Sequence, residues 1–145
     1  MLNTEPEKLD KRVIRTRKLL SDAFFELMKT TEFQQITVQN ITDHAMINRA
    51  TFYAHFADKY ELFDYSIRVM YESHLEKAIP NANHLSYDNL RDLSLATLRF
   101  FSHFIGHCAP SKRENDLPFE KQIQSYLREL LLMWLNDANP EMIPP

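Results

Sequence analysis

The stretch of residues 33–63 constrains the fold most, because it holds start and stop signals for two very short helices in succession. Thr37 is a good N-cap for a helix over residues 38–45, in which apolar residues recur at spacings of three and four. Asn48 is an equally good N-cap for a second helix over residues 49–55. Two helices this short, joined by a tight corner, are typical of the helix-turn-helix unit.

Landmark residues fall in a fixed order along this stretch. They are Thr37, Ile41-Thr42, Ala45-Met46-Ile47-Asn48, Thr51-Phe52-Tyr53, His55-Phe56, Lys59 and Leu62. In this order and spacing the sequence resembles the DNA-binding domain of the tetracycline-repressor (TetR) family of bacterial transcription regulators. The resemblance is specific over about residues 12–63 and only architectural beyond them. The family usually has glycine where Met46 stands, so methionine predicts either a cost of roughly 1 kcal/mol or a differently built corner.

The rest of the chain predicts an all-α fold, since it has one glycine and several long stretches of helical periodicity. A helix over about residues 10–30 carries an apolar stripe that should cover the two short helices. The residues on or near that stripe are Ile14, Leu20, Phe24, Leu27 and Met28, with Ala23 beside them. The expected architecture is a three-helix DNA-binding head over residues 10–58, followed by a helical linker and regulatory body over residues 59–145.

Three further helices are expected in that second part. One begins at Lys59 and ends near Ile79; the next opens at Ser86 or Asn89 and reaches about His107, apolar on more than one face. The last is capped by Asp116. TetR-family bodies usually hold more helices, which predicts either a truncated chain or an unusually short member.

Charge and cysteine content limit the classes of protein to which this chain can belong. The net charge is -3, but residues 1–60 carry +1, and residues 8–18 hold six bases against one acid. The single Cys108 excludes an internal disulfide framework and suits a reducing cytoplasm, and the N-terminus is unlike a signal peptide. No apolar run approaches the ~18–20 residues of a membrane span.

The resemblance implies which side chains meet DNA. Base contacts are expected from Gln39, Arg49, Ala50 and Thr51. Phosphate contacts are expected from Arg12, Arg15, Thr37, Asn48, Tyr53, His55 and Lys59. The chemistry fits, because arginine suits a guanine edge, an amide suits an adenine edge, and helix N-termini bind anions.

The body offers weaker hypotheses. Its aromatic residues could line a pocket for a small-molecule effector, although aromatics at helical spacing are more often plain core. The pocket candidates are Phe100, Phe101, Phe104, Tyr126 and Trp134. His103, His107 and Cys108 have the side-chain chemistry of a partial metal site, although closing a helix end is the commoner role of such residues.

The sequence therefore predicts a cytoplasmic regulator, most often a repressor, that binds a palindromic DNA operator as a homodimer and is released by a small molecule. No cofactor, no association with a membrane and no catalytic activity are expected. In particular, the lone glycine permits no Gly-rich phosphate-binding loop. One alternative is a helical protein-interaction adaptor or coactivator-binding module on the same fold. A metal-sensing regulator is a minor alternative.

Overall fold

A computed structural model describes residues 10–80, 83–107 and 119–138, with the side chains of 105–107 and 119–120 excepted. Within these ranges the chain is helical and contains no strand. The helices are α1 (Lys11–Met28), α2 (Val38–Ala45), α3 (Arg49–His55), α4 (Lys59–Ala78), α5 (Tyr87–His107) and α6 (Phe119–Ala138). None of them is long and apolar enough to cross a membrane. The prediction of an all-α fold is confirmed.

Local signals set several helix ends. The Asp10 carboxylate accepts a hydrogen bond from the Arg12 backbone N–H at 3.0 Å, which caps α1. The Ser86 hydroxyl accepts from the Asn89 N–H at 3.1 Å and caps α5, which decides between the two predicted starts. The expected cap of α6, Asp116, lies outside the described residues.

The buried stripe of α1 differs from the prediction at one end. Leu20, Phe24 and Met28 are buried, but Ile14 is 53% exposed. Ile14 lies six residues before Leu20, which at 3.6 residues per turn places it about 120° away around the helix. The prediction that Ile14 joins the stripe is therefore wrong.

The head has an aromatic core beneath its two short helices. Phe33 lies in a 3₁₀ turn over Phe33–Gln35, inside the connector between α1 and α2 (residues 29–36). Its ring centroid lies 5.9 Å from that of Phe24 on α1 and 5.3 Å from that of Phe63 on α4. Phe52 of α3 is fully buried, so each helix of the head contributes to one core.

The described residues divide into two compact units. The head unit comprises residues 10–66 together with 104–107, and the body unit comprises residues 67–80, 83–103 and 119–138. α4 runs through this division without a break. The predicted boundary at residue 58 follows the helix-turn-helix motif, whereas the contacts extend the head unit over the first two turns of α4.

Polar contacts accompany aromatic packing inside the body unit. The hydroxyls of Tyr71 and Thr97 lie 2.6 Å apart, and the Tyr71 ring lies 5.5 Å from that of Tyr126. Arg68 forms an ion pair with Glu129 at 2.9 Å, which joins α4 to α6. α5 buries one face and exposes leucines on another, with Leu98 at 64% exposure.

Candidate nucleic-acid interface

The corner between α2 and α3 is built around Met46, which has φ 55° and ψ 43°. Glycine adopts this left-handed conformation more easily than other residues do, because it has no Cβ. The Ile47 N–H donates to the Thr42 carbonyl at 2.9 Å, and the Met46 N–H donates to the Asp43 carbonyl at 3.2 Å. Both bonds belong to the Schellman motif that ends helices. The corner thus keeps its usual geometry although a methionine occupies it.

The start of α2 is fixed by a reciprocal capping box. The Thr37 hydroxyl accepts from the Asn40 backbone N–H at 3.1 Å, and the Asn40 side-chain oxygen accepts from the Thr37 N–H at 2.9 Å. The Thr37 hydroxyl also donates to that same oxygen at 2.8 Å. Thr37 therefore has a structural task at the position where the sequence predicted a phosphate contact.

α3 presents its first residues to solvent. The side-chain oxygen of Asn48 accepts from the Thr51 N–H at 2.9 Å and caps the helix. Arg49 and Ala50 are exposed and Thr51 is half-buried. The Arg49 guanidinium lies 5.9 Å from the centroid of the Tyr53 ring, one turn further on. That ring packs in turn on buried Phe52 at 5.3 Å, so the arginine rests on a supported aromatic surface.

Gln39 on α2 is exposed, and its amide is already oriented. Its Nε2 donates to the Asp43 carboxylate at 2.6 Å. An adenine edge requires one amide N–H and the amide oxygen. The bond to Asp43 uses one of the two N–H groups, which leaves both requirements available on Gln39.

Positive charge without an acidic partner lies on α1 and α3. Arg12, Arg15 and Arg49 are exposed, and none of them takes part in an ion pair within the described ranges. Lys18, in contrast, pairs with Asp22 at 2.6 Å. Uncompensated exposed arginines are the groups that meet phosphates at least cost.

Two other cations of the head turn inward, which the sequence did not predict. The Arg17 guanidinium lies 5.6 Å from the Phe56 ring centroid and 5.3 Å from that of Tyr65, so it joins α1 to the end of α3 and to α4. The Lys59 ammonium donates to three backbone carbonyls of the connector. Partial burial lowers the pKa of Lys59 from its ordinary value. No pattern within the sequence distinguishes these two residues from the exposed bases nearby.

Residues 20–65 match the family model described as bacterial regulatory proteins, tetR family. The matched segment covers α2, the left-handed corner and α3, together with the second half of α1 and residues 59–65 of α4. Over these residues the chain is similar to the TetR family.

The chain is also similar to two HTH-type transcriptional regulators. The chain is 42% identical over 66 residues to an uncharacterized HTH-type transcriptional regulator, YxbF, of Bacillus subtilis, a match that covers 44% of this chain and 17% of the relative. It is 38% identical over 55 residues to DhaS, an HTH-type transcriptional activator of the dhaKLM operon of Lactococcus lactis, covering 38% of this chain and 29% of the relative. Each match thus spans less than a third of the relative's length.

Among solved structures, the chain is similar to a TetR-family transcriptional regulator of Haemophilus influenzae. The TM-score is 0.44 at 14% identity, over 90% of this chain and 64% of that chain. A similarity of this degree carries no further argument.

The candidate effector residues do not all belong to one unit. The Phe100 and Tyr126 rings lie 5.0 and 5.5 Å from that of Tyr71 in the body unit, where Trp134 is also buried. Phe101 lies 6.4 Å from Phe100. The Phe104 ring instead lies 6.4 Å from that of Phe25 within the head unit. The pocket hypothesis therefore applies to the body residues without Phe104.

The metal hypothesis concerns residues at the end of α5. His103 is exposed, whereas the side chain of His107 and all of Cys108 lie outside the described residues. Within the described part of the chain, no three His, Cys, Asp or Glu side chains are grouped so that they could hold a metal ion. The hypothesis for His103, His107 and Cys108 remains a sequence prediction.

Proposed function

We propose that this chain is a TetR-family, DNA-binding transcriptional regulator whose α3 reads base edges in a major groove, assisted by α2. The observation that carries the proposal is the cap–corner–cap arrangement of residues 37–55. It fixes both short helices by their own hydrogen bonds and leaves Gln39, Arg49 and Ala50 exposed. Residues that contribute nothing to the core are available for a ligand.

The side chains divide into two roles. Base edges are assigned to Gln39, Arg49, Ala50 and Thr51, because arginine and amide groups give the most selective pairings with guanine and adenine. Phosphates are assigned to a set that surrounds them and sets affinity and register. That set comprises Arg12, Arg15, Thr37, Asn48, Tyr53 and His55.

We assign the chain a homodimeric state and a palindromic operator, because a two-fold protein axis requires matching half-sites about one DNA turn apart, ~34 Å. Exposed leucines of α5 and α6, such as Leu98 and Leu132, are side chains that association would cover. A small molecule bound to the body would change the spacing of the two recognition helices and release the operator.

Repression in the cytoplasm is the mode we propose. The Lactococcus lactis relative is named as an activator, so the sign of regulation needs its own measurement. A reporter gene under the promoter upstream of this chain's own gene, with and without the chain, gives that sign directly. A fall in reporter output supports repression, and a rise shows activation.

Binding is tested with a duplex of that upstream promoter and a random duplex of equal length, each titrated with salt. The parent chain should prefer the promoter, and its affinity should fall steeply as salt rises. Arg49→Ala should remove about 1–3 kcal/mol of the preference, with little effect on random DNA. Its matched control is Arg15→Ala, which removes an exposed base of α1 and should weaken binding to both duplexes. The salt slope, which is the steepness with which the logarithm of the affinity falls with the logarithm of the salt concentration, should decrease by about 0.9.

Two outcomes would contradict the proposal. If Arg49→Ala and Arg15→Ala behave identically on both duplexes, the division into base-reading and phosphate-binding residues is wrong. If the parent binds both duplexes weakly and equally while analytical ultracentrifugation shows a dimer, the helical adaptor becomes the better assignment.

A further inference from the structure

The half-buried Lys59 side chain lies against three backbone carbonyls. It begins α4, yet its Nζ donates to the carbonyls of Phe33 at 2.8 Å, Gln34 at 3.2 Å and Ile36 at 2.9 Å. A lysine ammonium has three N–H donors and no acceptor. Every donor of Lys59 therefore already has a partner within the protein.

Aromatic rings complete the surroundings of this ammonium. Its Nζ lies 4.7 Å from the ring centroid of Phe33 and 5.6 Å from that of Tyr60. The two rings are themselves in T-shaped contact at 5.2 Å. The charge thus fills a site formed by the 3₁₀ turn on one side and the start of α4 on the other.

The three carbonyls lie close to the start of α2. Ile36 immediately precedes Thr37, which caps that helix. The Lys59 contacts span 23 to 26 residues of sequence, longer than any other side-chain hydrogen bond described within the head unit. They fix the entry of α2 relative to the first turn of α4.

We propose that Lys59 is a positioning residue that locks the start of α4 to the connector before α2, and so holds the helix-turn-helix unit in its reading geometry. This replaces the phosphate contact that the family resemblance implied for Lys59. A phosphate would have to compete with three carbonyls for the same three N–H groups. The DNA part of the inference rests on the proposed function, while its structural part does not.

The test compares Lys59→Met, which keeps the length of the side chain but removes charge and donors, with Lys59→Arg. A guanidinium is a planar fork and cannot replace a compact ammonium among three converging carbonyls, although it binds phosphates well. Each variant is assayed at a temperature well below the midpoint of its thermal unfolding, so that the chain is folded. Arg15→Met is the matched control, since Arg15 is exposed and has no ion-pair partner among the described residues.

The positioning role predicts that both Lys59 variants lose preference for the promoter duplex over random DNA, on the order of tenfold, with an unchanged salt slope. A phosphate contact predicts instead that Lys59→Arg behaves as the parent, and that Lys59→Met weakens both duplexes and lowers the slope by about 0.9, as Arg15→Met does. That result would overturn the inference. So would folded variants with unchanged preference, since Lys59 would then only stabilise the fold.

Hydrogen exchange in the absence of DNA separates this inference from the proposed function. If the parent shows no DNA preference, the proposed function fails, and the amides of residues 37–45 decide the role of Lys59. Faster exchange there in Lys59→Met and Lys59→Arg supports the lock, and exchange equal to that of the parent refutes it.

Discussion

Replacing Met46 by glycine should stabilise the head. Met46 has φ 55°, which is unfavourable for a residue with a Cβ. Its side chain is 92% exposed, so burial of apolar surface does not offset this conformational cost. A residue with a Cβ pays about 1–2 kcal/mol in the left-handed region. Glycine avoids this cost but gives the unfolded chain extra freedom worth about 0.4–1 kcal/mol. The net gain for Met46→Gly is therefore at most about 1.6 kcal/mol, with a central value of about 0.8 kcal/mol.

The matched control is Met46→Ala. Alanine removes the exposed side chain but keeps the Cβ, so the left-handed cost stays and the free energy of unfolding should change by less than about 0.5 kcal/mol. The order of stability is expected to be glycine above alanine and methionine, with alanine and methionine nearly equal.

Urea denaturation followed by circular dichroism at 222 nm measures the difference, provided that the m-values of the variants agree. Trp134 is the chain's only tryptophan and belongs to the body unit, so its fluorescence reports that unit separately. If the units unfold independently, the dichroism transition should shift while the fluorescence transition stays in place. A Met46→Gly chain no more stable than Met46→Ala would refute the prediction, because the Cβ cost at the corner would then not exceed the freedom that glycine gives the unfolded chain.

Other predictions follow from hydrogen bonds and buried hydroxyls. Thr37→Ala should lower the free energy of unfolding by about 1 kcal/mol in urea titrations, whereas Thr37→Ser should keep the parent value, because only serine preserves the cap. Tyr126→Phe should leave stability unchanged or raise it, because the buried Tyr126 hydroxyl has no hydrogen-bond partner among the described residues; Tyr71→Phe, which breaks the bond to Thr97, should cost about 1 kcal/mol by the same assay. Burial raises the pKa of both tyrosines, so the folded state keeps their protons longer than the unfolded state; stability should fall as pH rises above the ordinary tyrosine value of about 10, and less steeply in Tyr126→Phe. Asp43→Ala should reduce discrimination at the base pair assigned to Gln39 without weakening binding to random duplexes, and equal losses on both DNAs would contradict an orienting role.

The sequence predicted those parts of the head that are determined locally. The bounds of α2 and α3 were predicted to the residue, because Thr37, Asn48 and the left-handed corner act within four residues of the backbone groups they serve. Fold class followed from periodicity and the scarcity of glycine. The placement of Gln39 and Arg49 on solvent-facing positions agrees with their polarity.

Features that depend on distant partners were not predictable in this way. Lys59 reads as one more exposed base until α4 is placed against a connector 23 to 26 residues earlier. Arg17 likewise acquires its two aromatic neighbours only through packing of three helices. Ile14 is the converse case. It is apolar but exposed, because its position lies about 120° around α1 from the buried stripe.

In residues 37–55, the residues that cap the helices differ from those proposed to read DNA bases. This difference bears on how such a chain can change the DNA sequence that it binds. Thr37, Met46 and Asn48 define where the helices begin and end, whereas Gln39, Arg49 and Ala50 are exposed. Surface substitutions away from caps and core usually alter stability by no more than about 0.5 kcal/mol. If these residues read DNA as proposed, operator preference can change by successive substitutions at Gln39, Arg49 and Ala50 with almost no loss of stability, so the fold does not restrict which DNA target the chain acquires.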